Sequence, residues 1–309
     1  MRQGGAPPTG KWVGNPQGGV KAPDALILPS PATRFAASAA RFEALSEGHP
    51  MAGWLNFMAD LARAQHVAAT DGKLCAIPDQ AEIDRAVGAR IPPIAADGHR
   101  RDPAWRAGLA LMLDALARGG LTERAATSID ELRSRDDEAI EVAADAFLSG
   151  SVSPGEMRTA LFIAAALQVY FTRFAAGLKA STLRLLPKRG LCPCCGSTPV
   201  AGLVTASGQV PGTRYLYCSL CSTAWNHVRA VCITCGDSRT LSLKGIEGDS
   251  GAVKAETCDA CHTYAKMLYQ AKDMGVDPYA DDLATLGLDI MVAEAGWARH
   301  APNPLLLVG

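Results

Sequence analysis

Four short stretches, LCPCCG (191–196), CSLC (218–221), CITCG (232–236) and CDAC (258–261), decide the fold of this 309-residue chain. The second pair of stretches repeats the first at a displacement of 40 residues, and Gly196 is matched in the same way by Gly236. Two thiolates separated by two residues can approach one ion from a tight turn, and two such turns complete a tetrahedron. A glycine after the second cysteine relieves backbone crowding in that turn. The repeat therefore predicts two tetrathiolate metal sites.

Each site is expected to use the cysteines of one repeat, because closing the shorter loop costs less entropy. Tetrahedral sulfur coordination suits zinc and mononuclear iron alike, and residue spacing does not separate them. On the residues alone zinc is favoured, since small domains often use it as a structural crosslink. The predicted ligands are Cys192, Cys195, Cys218 and Cys221 for the first site and Cys232, Cys235, Cys258 and Cys261 for the second.

The composition predicts a soluble, cytoplasmic protein. Hydrophobic residues make up 48% and charged residues 20% of the chain, and no uninterrupted apolar run reaches the length of a membrane span. Glycine and proline fill the N-terminus, where a secretory signal needs an apolar core. Thiols of an unexported chain stay reduced, so the ten cysteines favour metal ligation over a disulfide framework.

Changes in composition divide the chain into four parts. Residues 1–24 are rich in Gly and Pro and predict a disordered tail. Residues 25–186 carry apolar residues at helical spacing and predict an α-helical domain. Residues 187–226 and 227–309 are predicted to form two tandem β modules of the rubredoxin-like or zinc-ribbon-like kind, each with four cysteines, and C-terminal helices follow the second. The expected fold class is α+β.

Hydrophobic periodicity predicts six helices in the N-terminal half, at Thr33–Ser46, Met51–Ala69, Pro103–Arg118, Thr122–Arg133, Asp136–Leu148 and Pro154–Leu178. The last is apolar on nearly all faces and is expected to be a buried central helix rather than a membrane span. Alternating runs at 213–218 (TRYLYC) and 252–258 (AVKAETC) predict small β-hairpins. The segments 262–274 (HTYAKMLYQAKDM) and 278–297 (PYADDLATLGLDIMVAEAGW) are predicted to be helical.

The charge distribution keeps other function classes open. No carboxylate occurs between Glu156 and Asp237, although arginines and lysines recur there. Because zinc ribbons beside a basic stretch often bind phosphate, a nucleic-acid-binding protein is one alternative. A rubredoxin-type electron-transfer protein is another. No catalytic triad, phosphate loop or paired-carboxylate signature stands out, so an enzyme is not expected.

The sequence around the cysteines resembles the formate dehydrogenase accessory protein family, FdhE. The likeness rests on LCPCCGSTPVAG (191–202), RYLYCSLCSTAWNHVRAVCITCG (214–236), VKAETCDACHTYAKMLYQAKD (253–273) and ADDLATLGLDIMVAEAGWARHAPNPLL (280–306). The chain departs from the family pattern in having Cys194 between the first two ligands. It also has Ala230-Val231 where a more basic residue is expected. Neither departure removes a predicted ligand.

The resemblance implies a cytoplasmic maturation factor that binds the catalytic subunit of a formate dehydrogenase and is needed for that enzyme's activity. Family members look rubredoxin-like in their cysteine half and are associated with iron. The resemblance therefore moves the expected metal from zinc to iron, with zinc as the alternative. The two metal ions would be structural, and an iron tetrathiolate can also carry one electron. No nucleic-acid partner and no membrane insertion are expected, and the oligomeric state is left open.

Overall fold

A computed structural model describes residues 22–72, 78–208 and 210–306. The described residues do not include residues 1–21 of the predicted tail. They also do not include Cys75, the one cysteine that precedes the two repeats. N-terminal helices lead into a mixed sheet that carries two four-cysteine clusters, and two short helices follow near the C-terminus. The predicted α+β class is therefore confirmed.

The described helices are α1 (Pro31–Ser46), α2 (Ala52–Asp71), α3 (Gln80–Gly88), α4 (Ala104–Ala117), α5 (Glu123–Arg133), α6 (Asp137–Ser149), α7 (Met157–Ala176), α8 (Ala280–Ala284) and α9 (Leu286–Glu294). A 3₁₀ turn at Pro154–Glu156 leads into α7. The six helices predicted in the N-terminal half are confirmed, with small shifts at their ends. Helix α3 was missed, although Asp79 and Glu82 form a capping box at its start.

Helix α7 is the centre of the helical part. It packs against α1, α2, α4, α5 and α6. Among the described residues, the helix Pro154–Ala176 is the one long and apolar enough to cross a membrane. However, 83% of its most apolar 18-residue segment is buried inside the protein. The prediction of a buried central helix is confirmed. Its Gln168 also donates a 2.8 Å hydrogen bond to the carbonyl of Ser219, so α7 touches the cysteine-bearing part directly.

The described strands are β1 (Leu26–Ile27), β2 (Pro199–Val204), β3 (Arg214–Cys218), β4 (Ala224–Asn226), β5 (Leu241–Lys244), β6 (Val253–Cys258), β7 (Thr263–Tyr269) and β8 (Ala298–Arg299). They form one sheet in the order β1-β4-β3-β2-β7-β6-β5, with β8 also paired to β7. The predicted strands at 213–218 and 252–258 are confirmed as β3 and β6.

One strand pairing joins the two cysteine repeats. Strand β2 of the first repeat runs parallel to β7 of the second, with Gly202 opposite Met267. A Cβ atom at position 202 would lie 2.5 Å from Met267 Sδ and 3.3 Å from Leu216 Cδ2. A side chain at position 202 would force the end of the Met267 side chain to move, so glycine leaves room for Met267 where the two repeats join in a continuous sheet.

The prediction of helix at 262–274 is wrong, because residues 263–269 form β7. Ala, Lys, Met and Leu favour helices in isolation, but β7 is a central strand buried on both faces between β2 and β6. A short run buried on both faces lacks the alternation that marks a half-exposed strand. The helical prediction for 278–297 is confirmed by α8 and α9.

Two adjacent aspartates tie the C-terminal helices to the rest of the protein. Asp281 accepts two hydrogen bonds from Arg41 of α1, at 2.6 and 2.8 Å. Asp282 is 0% exposed and forms ion pairs with Lys266 of β7 and with Arg299. Both carboxylates are therefore structural anions that link distant segments of the chain.

We expect Asp282→Asn to lower the free energy of unfolding by about 3–5 kcal/mol, because it removes a charge from a buried ionic cluster. Lys266, which is 0% exposed, would keep Asp289 as its one anionic partner among the described residues. Denaturant titration followed by circular dichroism measures the change. Glu247→Gln, at an exposed position, is the control and should change stability by less than about 0.5 kcal/mol. Equal effects of the two substitutions would contradict the assignment of Asp282.

Candidate metal centres

The first cluster consists of Cys192, Cys195, Cys218 and Cys221. Their four sulfur atoms all lie within 4.8 Å of one another. The Sγ atoms of Cys192 and Cys221 are 3.4 Å apart, and so are those of Cys195 and Cys218. Backbone N–H groups of Leu220 and Cys221 donate to Cys218 Sγ at 3.4 and 3.3 Å. Two tight turns thus bring four sulfurs to one point, as the repeat predicts.

The helical part covers the first cluster. All four cysteines are at most 1% exposed and belong to the main hydrophobic core. In the loop between α3 and α4, the N–H of Ile94 donates to the carbonyl of Cys194 at 3.0 Å, and that of Ala96 to the carbonyl of Cys195 at 2.8 Å. Tyr279 Oη donates to the carbonyl of Cys218 at 3.0 Å. Segments far apart in sequence therefore enclose this site.

The second cluster consists of Cys232, Cys235, Cys258 and Cys261, with all four sulfurs again within 4.8 Å of one another. The pairs Cys232–Cys261 and Cys235–Cys258 are each 3.7 Å apart. Cys235 is exposed and Cys261 is partly exposed. The second cluster therefore reaches the protein surface, and this difference in burial is the main distinction between the two sites.

The 40-residue repeat extends to the local geometry. Gly196 and Gly236 both have positive φ, at 79° and 80°, as the predicted crowding in the turn requires. Thr223 and Thr263, also 40 residues apart, place their hydroxyls 3.2 and 3.1 Å from the sulfurs of Cys221 and Cys261. A threonine hydroxyl can donate to a thiolate. These two threonines are not among the predicted site residues, although their 40-residue displacement follows the cysteine repeat.

The donor sets fit a tetrahedral metal ion. Thiolates about 2.3 Å from a tetrahedral ion lie about 3.8 Å apart, close to the spacing in both clusters. The nine described cysteines are free thiols. Burial raises the pKa of the Cys192 and Cys218 thiols above the ordinary value, because a thiolate without a counter-charge is costly there. A bound cation supplies that counter-charge, so each group could hold one metal ion.

Hydrogen bonds favour the thiolate at Cys258 in the second cluster. Burial by itself raises its pKa, but a hydrogen bond from Thr240 and backbone N–H groups of Cys261 and Ala260 lower the pKa to about 7. Cys194, in contrast, is buried beside the first cluster and lies outside the four-sulfur group. Replacing Cys194 therefore removes a buried thiol that is not one of the four clustered sulfurs, which makes it a control for substitutions of the clustered cysteines.

Three domain families match the chain in sequence order: FdhE, N-terminal over residues 23–187, FdhE, central domain over residues 191–229, and FdhE, C-terminal domain over residues 230–306. The Protein FdhE homolog of Edwardsiella ictaluri (strain 93-146) is 38% identical over 285 residues, which cover 92% of this chain and 92% of the relative. The Protein FdhE homolog of Rhizobium meliloti (strain 1021) is 34% identical over 296 residues, covering 94% and 95%.

The chain is also similar to a solved structure, the crystal structure of the FdhE protein from Pseudomonas aeruginosa. The TM-score is 0.79 and the sequence identity 33%. The match covers 92% of this chain and 99% of that chain. The similarity therefore includes both the helical part and the cysteine-bearing sheet.

The difference in burial predicts different consequences when one cysteine is replaced. We expect Cys218→Ser to unfold the protein or to lower its melting temperature strongly, because a structural metal contributes on the order of 10 kcal/mol to folding. We expect Cys258→Ser to lose one metal ion and leave the helical part folded. Metal content by plasma mass spectrometry and thermal unfolding by circular dichroism measure both effects.

Cys194→Ser is the matched control for these variants, and it should retain the metal content of the unmodified protein. Equal destabilisation by Cys218→Ser and Cys258→Ser would contradict the distinction between a core cluster and a surface cluster. Full metal content in both variants would contradict metal ligation by these cysteines.

Proposed function

This chain belongs to the FdhE family, and we propose that it is an accessory protein in the maturation of a formate dehydrogenase. It binds the catalytic subunit of that enzyme in the cytoplasm, is needed for the enzyme's activity and catalyses no reaction of its own. The observation that carries the proposal is the pair of four-sulfur clusters within an architecture similar to FdhE over 92% of the chain. The link to formate dehydrogenase comes from the family resemblance.

In this proposal the eight clustered cysteines hold two metal ions, one in each cluster. Iron is favoured by the family resemblance, and zinc fits the same donor set. Iron would supply a one-electron couple, whereas zinc would supply only a crosslink. The hydroxyls of Thr223 and Thr263 lie 3.2 and 3.1 Å from the sulfurs of Cys221 and Cys261, and each would donate to its sulfur when that cysteine binds a metal as a thiolate. Hydrogen bonds of this kind tune the potential of an iron–thiolate site.

The two clusters have different roles in the proposed function. The first cluster is enclosed by α7, the 94–96 loop and Tyr279, so it holds the helical part against the sheet. The second cluster exposes Cys235 and part of Cys261 at the surface. Within the described part of the chain, the second cluster is the one that a protein partner can reach without unfolding the core. Contact with the catalytic subunit, and any electron exchange with it, therefore takes place on the side of the second cluster.

The alternative of nucleic-acid binding is less well supported because several basic groups make internal contacts. The guanidinium of Arg214 is 1% exposed and paired with Glu256. Arg173 donates a 2.8 Å hydrogen bond to the carbonyl of Gly72. Charge that is used inside the protein cannot neutralise phosphates, so the basic excess in the sequence overstates the basic charge at the surface.

Elemental analysis of protein purified without air tests the metal assignment. We expect about two iron atoms per chain and the red absorption bands of iron–thiolate charge transfer. An excess of chelator should remove the colour of the second cluster first, because that cluster is at the surface. Two zinc ions per chain and a colourless protein would overturn the preference for iron and leave a structural role for both sites.

Formate oxidation by a strain that lacks this gene tests the biological role. We expect the strain to lose formate dehydrogenase activity, and to regain it with the unmodified gene or with Cys194→Ser. Cys258→Ser should give activity close to that of the deletion while the variant protein still accumulates, as checked by immunoblot. Formate oxidation at the normal rate in the deletion strain would overturn the proposed function.

A further inference from the structure

A cavity of about 250 Å³ lies on one face of the sheet, where the two cysteine repeats meet. Its polar lining consists of Arg214, Arg229, Ser242, Glu256 and Tyr269. Arg214 pairs with Val204 across β3 and β2, and Val204 pairs with Tyr269 across β2 and β7. Direct cross-strand partners share a face of a sheet, so this row of residues spans both repeats. None of these residues belongs to either cysteine cluster.

Arg214 is held rigidly at this cavity. Its Nη1 donates to Glu256 Oε1 at 2.7 Å, and its Nη2 lies 2.6 Å from His227 Nδ1 and from the carbonyl oxygens of Val228 and Val231. The side chain is 1% exposed. Its Nε is buried and has no hydrogen-bond partner among the described residues. A buried N–H without a partner costs about 1–3 kcal/mol, so the fold retains a donor that a ligand could satisfy.

The lining has an excess of positive charge. Glu256 neutralises one of the two guanidinium groups, that of Arg214. Arg229 has an exposed side chain whose single hydrogen bond, to the carbonyl of Gly212, is long at 3.4 Å, and it has no ion pair among the described residues. Burial and the adjacent Arg214 lower the pKa of His227 to about 4, so its ring adds no charge at pH 7. The lining therefore carries one uncompensated positive charge.

We propose that this cavity binds a monoanionic carboxylate that carries a small apolar group. A carboxylate matches the planar guanidinium of Arg229 and can accept a hydrogen bond from the unpaired Nε–H of Arg214, and one negative charge balances the charge of the lining. A phosphate dianion would bring an excess negative charge close to Glu256. Val204, Leu243 and Met267 line the rest of the cavity and provide the surface for the apolar group. The site goes beyond the proposed function and does not depend on it.

Titration of the purified full-length protein with isovalerate tests the proposal. We expect saturable binding in saturation-transfer NMR, and binding at least about tenfold weaker for isovaleramide, because the neutral amide forms no charge-assisted bond with arginine. Inorganic phosphate should also bind more weakly than isovalerate. Equal binding of isovalerate and isovaleramide, or no saturable binding of isovalerate, acetate or benzoate, would overturn the proposal.

Arg229→Gln locates the bound carboxylate without disturbing the buried network around Arg214. We expect this variant to weaken isovalerate binding about tenfold, and Arg229→Lys to restore part of the affinity. Arg239→Gln, at a side chain that is 88% exposed in the second repeat, should leave the affinity unchanged. Unchanged affinity in Arg229→Gln, or equal losses in Arg229→Gln and Arg239→Gln, would show that the carboxylate binds elsewhere and would overturn the assignment.

Competition distinguishes two sources of the carboxylate once binding is established. If isovalerate displaces the catalytic subunit of formate dehydrogenase, the natural ligand is an acidic side chain of that subunit. If the subunit stays bound in saturating isovalerate, the natural ligand is a small free acid. A subunit that does not bind at all would overturn the proposed function and leave the carboxylate site intact, so the two failures are distinguishable.

Discussion

The gathering of four sulfur atoms inside the main hydrophobic core is the constraint on which the rest of this structure depends. The first cluster is at most 1% exposed, and its turns present backbone carbonyl groups that need donors. Ile94 and Ala96 donate from the helical part, Gln168 from α7 and Tyr279 from the C-terminal part. The helical part and the C-terminal part therefore both donate hydrogen bonds to the two turns of the first cluster.

The same local motif occurs twice in the chain, in different surroundings. The backbone of the turns is nearly the same in both repeats, as the matching φ angles of Gly196 and Gly236 show. Among the described residues the helical part covers the first cluster, whereas Cys235 of the second cluster is exposed. The chemistry of each turn is thus fixed locally, whereas its accessibility is fixed by distant segments. Accessibility decides which cluster can meet another protein.

The sequence predicts features that depend on local chemistry and misses those that depend on tertiary contacts. Cysteine spacing predicted both groups of four, and periodicity predicted α7 as a buried helix. Helix α3 was missed although its capping box is visible at Asp79. Strand β7 was predicted as a helix because nothing local shows that β2 and β6 flank it. The burial of Asp282 also depends on Lys266 and Arg299, which only the fold brings close.

The buried charges also select one register for the strand that joins the repeats. Side chains alternate between the faces of a strand, so a one-residue slip of β7 would turn Lys266 away from Asp282 and Asp289. An ammonium group at 0% exposure without an anionic partner costs several kcal/mol. The same slip would move Met267 from its place opposite Gly202, where no side chain obstructs it. Charge pairing and steric fit therefore favour the same register of β7 against β2, and this register joins the two repeats in one sheet.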